Sequence, residues 1–330
     1  MRFRHLRVFC PLFFLTNAVT LDSFRWEYDE SLLKVPADAP PMLHGHGLAK
    51  DTSGNIYFTY VVANASSEDR CLVKFSPSDS YALGQMQGDP TLSQGTPHGL
   101  RIDYESDEMA YLYHSNNDQV VRKTDLNGSI KWTGGQTPPN NESIFWPYMP
   151  TDAVVAPPGG SLLFVADGYG SSYIHVMNSS TGTWLNPDFS FGGLGVEHGK
   201  FHTPHGINWD GRIGRSHLVV SDRSNARIEY FNLDGTYYST MADNSTVATI
   251  SQPCNVDIDI ERGLALVPDL DGPVFVLDRE NSEVGKVEPL DEVGIDSGFD
   301  HPHDAIFFPN GDIAICTWNP GRLGYWRRMN

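Results

Sequence analysis

The sequence has few cysteines, few basic residues and no long apolar run, and each shortage excludes something. Only four cysteines stand in 330 residues. Cys10 falls in a leader segment described below, so Cys71, Cys254 and Cys316 remain, an odd number that allows at most one disulfide and names no pair. Lys and Arg number 23 against 41 Asp and Glu, a formal charge of −18. Nucleic acid binding needs clustered Lys and Arg against phosphate, so that partner class is excluded and cations are the natural ones. The apolar stretch from Val8 to Leu15, broken by Pro11, is far shorter than the roughly 20 residues of a membrane span, and no other stretch comes near it. Helical periodicity is also missing.

That apolar stretch follows a basic start (Arg2, Arg4, His5, Arg7) and precedes small and polar residues from Thr16 to Thr20. This is the layout of a secretory signal peptide, so residues 1–20 are set aside and 21–330 are read as the mature, secreted chain. Five sequons agree with that compartment, at Asn64, Asn127, Asn141, Asn178 and Asn244. With 31 Gly, 22 Pro and 12% aromatic residues, the composition suits many short strands joined by tight turns.

A phrase recurs six times: His44-Gly45-His46-Gly47-Leu48, Thr96-Pro97-His98-Gly99-Leu100, Pro150-Thr151-Asp152-Ala153-Val154, Thr203-Pro204-His205-Gly206-Ile207, Pro253-Cys254-Asn255-Val256 and His301-Pro302-His303-Asp304-Ala305. Taking His46, His98, Asp152, His205, Asn255 and His303 as equivalent gives intervals of 52, 54, 53, 50 and 48 residues, the length of a four-stranded propeller blade. Second strands are expected at Gly54–Phe58, Leu162–Asp167, His217–Asp222 and Asp312–Cys316. Third strands are expected at Cys71–Phe75, Val120–Lys123, Tyr173–Val176, Arg227–Phe231 and Pro273–Leu277. The last copy has room for three strands only, and Phe24–Tyr28 is placed to supply the fourth and close the ring. The fold class is therefore all-β, a six-bladed β-propeller of a single domain, with a Pro/Asn-rich loop from Gly134 to Pro147 near one mouth.

The first strand of each blade lines the central channel, so the repeat predicts a ring of four histidines, an aspartate and an asparagine. Imidazoles converging from separate blades are a metal site by residue type. A plainer reading is that each His caps a backbone carbonyl in a duplicated turn. The Pro-His pairs on alternate blades, His98, His205 and His303, point to metal, and three protein ligands leave a fourth position open for chemistry. Tyr169 and Arg223 follow the ends of second strands, where a phenol serves as a base and a guanidinium holds an anion.

On these residues the sequence resembles the peptidyl-α-hydroxyglycine α-amidating lyase family, NHL-type propellers. The most specific stretches are Pro150–Val154 with Val165–Tyr169, Phe201–His205 with Val219–Ile228, and Phe299–Asp304. The resemblance implies Zn²⁺ on His98, His205 and His303, Tyr169 as catalytic base with Arg223 beside it, and a structural Ca²⁺ on Asp304 and the backbone carbonyls of Leu48 and Leu100. It implies a substrate ending in α-hydroxyglycine, split into an amide and glyoxylate, and a separate monooxygenase as partner. His46 is an additional imidazole, either a fourth ligand or a bystander. The alternative function is a non-catalytic secreted propeller that binds a protein or glycan and keeps the metal site for structure.

Overall fold

The protein is described from a computed structural model covering residues 24–106, 109–243, 247, 250–288 and 299–329. The signal-peptide reading, Cys10 and the sequon at Asn244 lie outside them.

Six four-stranded antiparallel sheets form the six blades. The first holds β2 (Met42–Lys50), β3 (Ile56–Val62), β4 (Leu72–Phe75) and β5 (Gln85–Gln87). The second holds β6 (Pro97–Ser106) to β9 (Ile130–Gly134), and the third β10 (Asp152–Val155) to β13 (Phe191–Gly192). The fourth runs from β14 (Pro204–Asp210) to β17 (Tyr237–Asp243), and the fifth from β18 (Asp257–Asp259) to β21 (Glu283–Val287). Blade six has β22 (Pro302–Phe307), β23 (Ile313–Thr317) and β24 (Arg322–Arg328), and its outer strand is β1 (Trp26–Tyr28). The expected closure is thus present, with Trp26, Glu27 and Tyr28 paired to Arg328, Arg327 and Trp326. Tyr28 also packs at a tilt against Phe299 and Trp326, with ring centres 5.0 and 5.3 Å away. The pairing removes an open sheet edge at the end of the chain.

The second strands are rich in β-branched and aromatic residues because both faces are covered by neighbouring blades. β3 is buried at all seven positions. The apolar contacts fall into six clusters, one at each junction between adjacent blades. Phe58 and Phe75 meet Ile306 and Tyr325 between blades one and six, and Phe164 and Ile174 meet Leu218 and Phe231 between blades three and four. Each blade is a wedge held by its two neighbours, so the core is a ring of seams rather than a single centre.

The strand register corrects the expected ring. Thr151 N–H donates to the Ala166 carbonyl and Cys254 N–H to the Pro268 carbonyl, both at 2.8 Å, which places these two residues at the level of the histidines. Asp152 and Asn255 sit one residue further, level with Gly47, Gly99, Gly206 and Asp304. The channel's upper ring is therefore His46, His98, Thr151, His205, Cys254 and His303. Each proline of the repeat, where there is one, immediately precedes its ring residue, and the polar residue after it produced the slip. All three described cysteines are free and buried.

Candidate metal centre

Each of the four histidines sits where the ladder between first and second strands skips a residue. The shifts fall between Gly45 and Gly47, Pro97 and Leu100, Pro204 and Gly206, and Pro302 and Asp304. A bulged residue leaves the alternation of the strand, and here that turns an imidazole into the channel. After His46, His98 and His205 a glycine follows and makes room for the next blade. A Cβ on Gly99 would lie 2.5 Å from Asp152 Oδ1 and 2.6 Å from the Thr151 carbonyl, and one on Gly206 would meet Asn255 and Cys254 in the same way.

Three of the rings are oriented by the neighbouring blade. Nδ1 of His98 donates to the Thr151 carbonyl at 2.7 Å, that of His205 to Cys254 at 2.9 Å, and that of His303 to His46 at 2.9 Å. The carbonyl-capping reading and the metal reading are thus both met by one ring: the carbonyl fixes the Nδ1–H tautomer and leaves Nε2 as a lone pair facing the axis. Nε2 of His98 and His303 and both nitrogens of His46 are buried with no hydrogen-bond partner, although each side chain is at least 96% buried. An unpaired buried polar atom costs about 1–3 kcal/mol, and three converging lone pairs also bind a cation well.

The ring spacing fits an ion. An ion about 2.1 Å from each Nε2 lies roughly 3.2 Å from each ring centre, which sets two bound rings roughly 4.5–5.2 Å apart. Centres of His98, His205 and His303 are 4.7, 4.8 and 4.8 Å apart. His46 lies 4.4 Å from His98 and 4.5 Å from His303. Two triangles of imidazoles therefore share the His98–His303 edge. Donor atoms of His46, His98 and His303 lie within 4.8 Å of one another, as do those of His205, Cys254 and His303. Burial holds all four imidazoles below the ordinary histidine range, helped by one another's charge and by Arg223, with His303 at about 3. The neutral form that binds metal is the form present.

Tyr169 and Arg223 are brought to the same place by buried carboxylates at the ends of their strands. Asp167 accepts N–H bonds from Met149 and Ser171, and Asp222 accepts from His202. Arg223 N–H in turn donates to the carbonyl of Thr203, a β-branched residue at φ 65°, a strained conformation that positions this turn. Tyr169 Oη donates to His205 Nε2 at 3.0 Å and accepts from Arg223 Nη1 at 3.1 Å. Burial pushes the Tyr169 phenol up, and the Arg223 guanidinium opposes it.

One layer below, Asp304, the carboxylate expected at calcium, has other partners. Asp304 accepts from Leu48 N–H at 2.8 Å, Asn255 Nδ2 at 2.7 Å and its neighbour Ala305 N–H. The buried Arg101 guanidinium forms a two-pronged bond with Asp152 Oδ2 at 2.7 and 3.0 Å and also binds Asn255. Burial raises the Asp304 carboxyl to about 7 against the opposing charge of Arg101. Leu48 thus gives its N–H to Asp304, and Arg101 brings a positive charge to this level. Asp304, with both oxygens already bonded and a guanidinium close by, is not arranged as a calcium ligand here. Beneath Arg101 the channel widens into a cavity of about 290 Å³ at the opposite mouth.

His98, His205, His303, Tyr169 and Arg223 all meet, as expected from the sequence. Sequence reasoning missed Arg101 and Cys254. The signal for Cys254 was its preceding proline, shared with His98, His205 and His303; for Arg101 it was a rare cation inside a first-strand run.

No known protein family and no curated protein matches this sequence. Many solved structures share the fold. Among them is the crystal structure of Chaetomium thermophilum Raptor, 11% identical with a TM-score of 0.53 over 94% of this chain. The chain spans 29% of that protein, and the likeness is one of β-propeller fold alone.

Proposed function

We propose that this protein is a secreted zinc-dependent lyase that cleaves peptidyl- or N-acyl-α-hydroxyglycine to an amide and glyoxylate. The observation that carries the proposal is the contact of Tyr169 with both Arg223 and His205 at the edge of a set of buried, unpartnered imidazole nitrogens. His98 and His303 belong to either triangle and would hold the ion with a third imidazole. Zinc on such ligands supplies a Lewis acid that lowers the proton affinity of nearby oxygens.

The chain's own groups account for the remaining steps. Tyr169 passes its own proton to His205 Nε2 and, as phenolate, takes the proton of the substrate hydroxyl. The hydroxyl oxygen forms the carbonyl of glyoxylate as the carbon–nitrogen bond breaks, and the proton ends on the leaving amide nitrogen. Arg223 neutralises the phenolate before it takes that proton, and its guanidinium is suited to the substrate carboxylate. Exposed sequon asparagines at Asn64, Asn127 and Asn141 support the secretory compartment.

The test is glyoxylate release from an N-acyl-α-hydroxyglycine by zinc-loaded protein. Activity is expected, with Tyr169→Phe retaining zinc and losing about 100-fold or more in kcat. A zinc-loaded wild type that releases no glyoxylate overturns the lyase reading. An unchanged rate in Tyr169→Phe removes that phenol from the mechanism.

A further inference from the structure

We infer that the ion is held by His46, His98 and His303, and that His205 stands outside the ligand set as the positioning partner of Tyr169. This rests on the proposal that the ring binds a metal, and it departs from the ligand set that the resemblance implies.

The argument starts from which lone pairs are free. His205 has both nitrogens committed: Nδ1–H to the Cys254 carbonyl at 2.9 Å and Nε2 to the Tyr169 phenol at 3.0 Å. To ligate an ion it must give up the phenol. His46 has neither nitrogen bonded, is 96% buried, and has its ring 4.4 and 4.5 Å from those of His98 and His303. Ring spacing alone does not separate the two triangles, but the donor atoms of His46, His98 and His303 all lie within 4.8 Å of one another, a grouping that His98, His205 and His303 do not form. A buried imidazole with no partner at all is costly. A metal on His46 removes that cost and leaves the Arg223–Tyr169–His205 chain intact.

The arrangement divides labour. His46, His98 and His303 bind the ion, while His205, its tautomer fixed by Cys254, accepts the phenol's hydrogen bond. Tyr169 is then aimed at the ion's open side by two groups, the Arg223 donor and the His205 acceptor, instead of by the metal.

Metal content and fold separate the two sets. Wild type, His46→Gln and His205→Gln are purified without chelator, checked by circular dichroism and assayed for zinc by mass spectrometry. The wild type is expected to carry about one ion per chain and His46→Gln less than about a tenth, while His205→Gln keeps its ion. Loss in His205→Gln with retention in His46→Gln overturns the assignment and leaves the lyase proposal standing; loss in both, or in neither, also overturns it. A wild type that takes up no zinc overturns both proposals. Should His46→Gln not fold, anomalous diffraction at the zinc edge from the wild type decides. Density bonded to His46 Nε2 or Nδ1, and not to His205, is expected, and density bonded to His205 overturns the assignment.

Discussion

A histidine sealed inside a sheet couples stability to pH even when it binds nothing. His114 lies within blade two, 6% exposed, with Nε2 3.0 Å from Thr124 Oγ1. Burial holds it down at about 3, with a smaller contribution from the Arg122 charge. The folded chain keeps it neutral, whereas the unfolded chain protonates it below its ordinary value of about 6.5. The unfolded state therefore binds more protons, and stability present above pH 6.5 is lost as pH falls toward 3. Between pH 7 and 5 the wild type is expected to lose about 2 kcal/mol more than His114→Gln, measured by urea denaturation. A difference below about 0.5 kcal/mol would mean that the folded protein also protonates His114. The ring histidines contribute equally to both proteins and cancel. At this scale the sequence was legible in which side chains come together: His98, His205, His303, Tyr169 and Arg223 meet as the repeat predicts. It misled where layer depends on a one-residue register. Asp152 and Asn255 look like ring members by polarity, yet backbone pairing puts Thr151 and Cys254 there.

At the scale of elements, the first strands pack more closely than their side chains suggest. The His-Gly pairs encode this: the bulge turns the histidine inward, and the missing Cβ lets the next blade approach. Gly99→Ala would force a methyl group to within 2.5 Å of Asp152 Oδ1, and shifting either blade strains both. The substitution is expected to cost about 1–3 kcal/mol and to weaken zinc binding through His98, read by thermal melts and metal titration. Gly272→Ala, whose Cβ meets nothing nearer than 3.4 Å, should be close to neutral and serves as the control. Equal melting of the two proteins would show that the close approach is not required. The second and third strands were legible from β-branched runs, and β15 (His217–Asp222) and β16 (Arg227–Phe231) have the expected bounds. Bulges were not, because they arise from pairing between strands rather than from the pattern along one.

At the scale of the whole molecule, six wedges must be prevented from spreading around an open axis. The layer beneath the histidines does this with a polar girdle. Leu48 N–H and Asn255 donate to Asp304, Arg101 donates to Asn255 and Asp152, and Ile207 N–H donates to Asp152. One residue from every blade takes part, and Arg101 supplies the positive charge. Removing one partner of a buried ion pair costs about 3–5 kcal/mol. Arg101→Met is accordingly expected to melt roughly 6–10 °C below the wild type. The wild type itself, kept zinc-loaded, should melt at the same temperature with and without millimolar calcium, since Arg101 already supplies the charge. With the guanidinium gone, Asp152 loses its buried counter-charge and Asp304 the charge that lowers its proton affinity, and calcium, by replacing that charge, should then raise the melting temperature of Arg101→Met. Stabilisation of the wild type by calcium would show instead that a cation and Arg101 share the channel, and that the girdle needs metal to close.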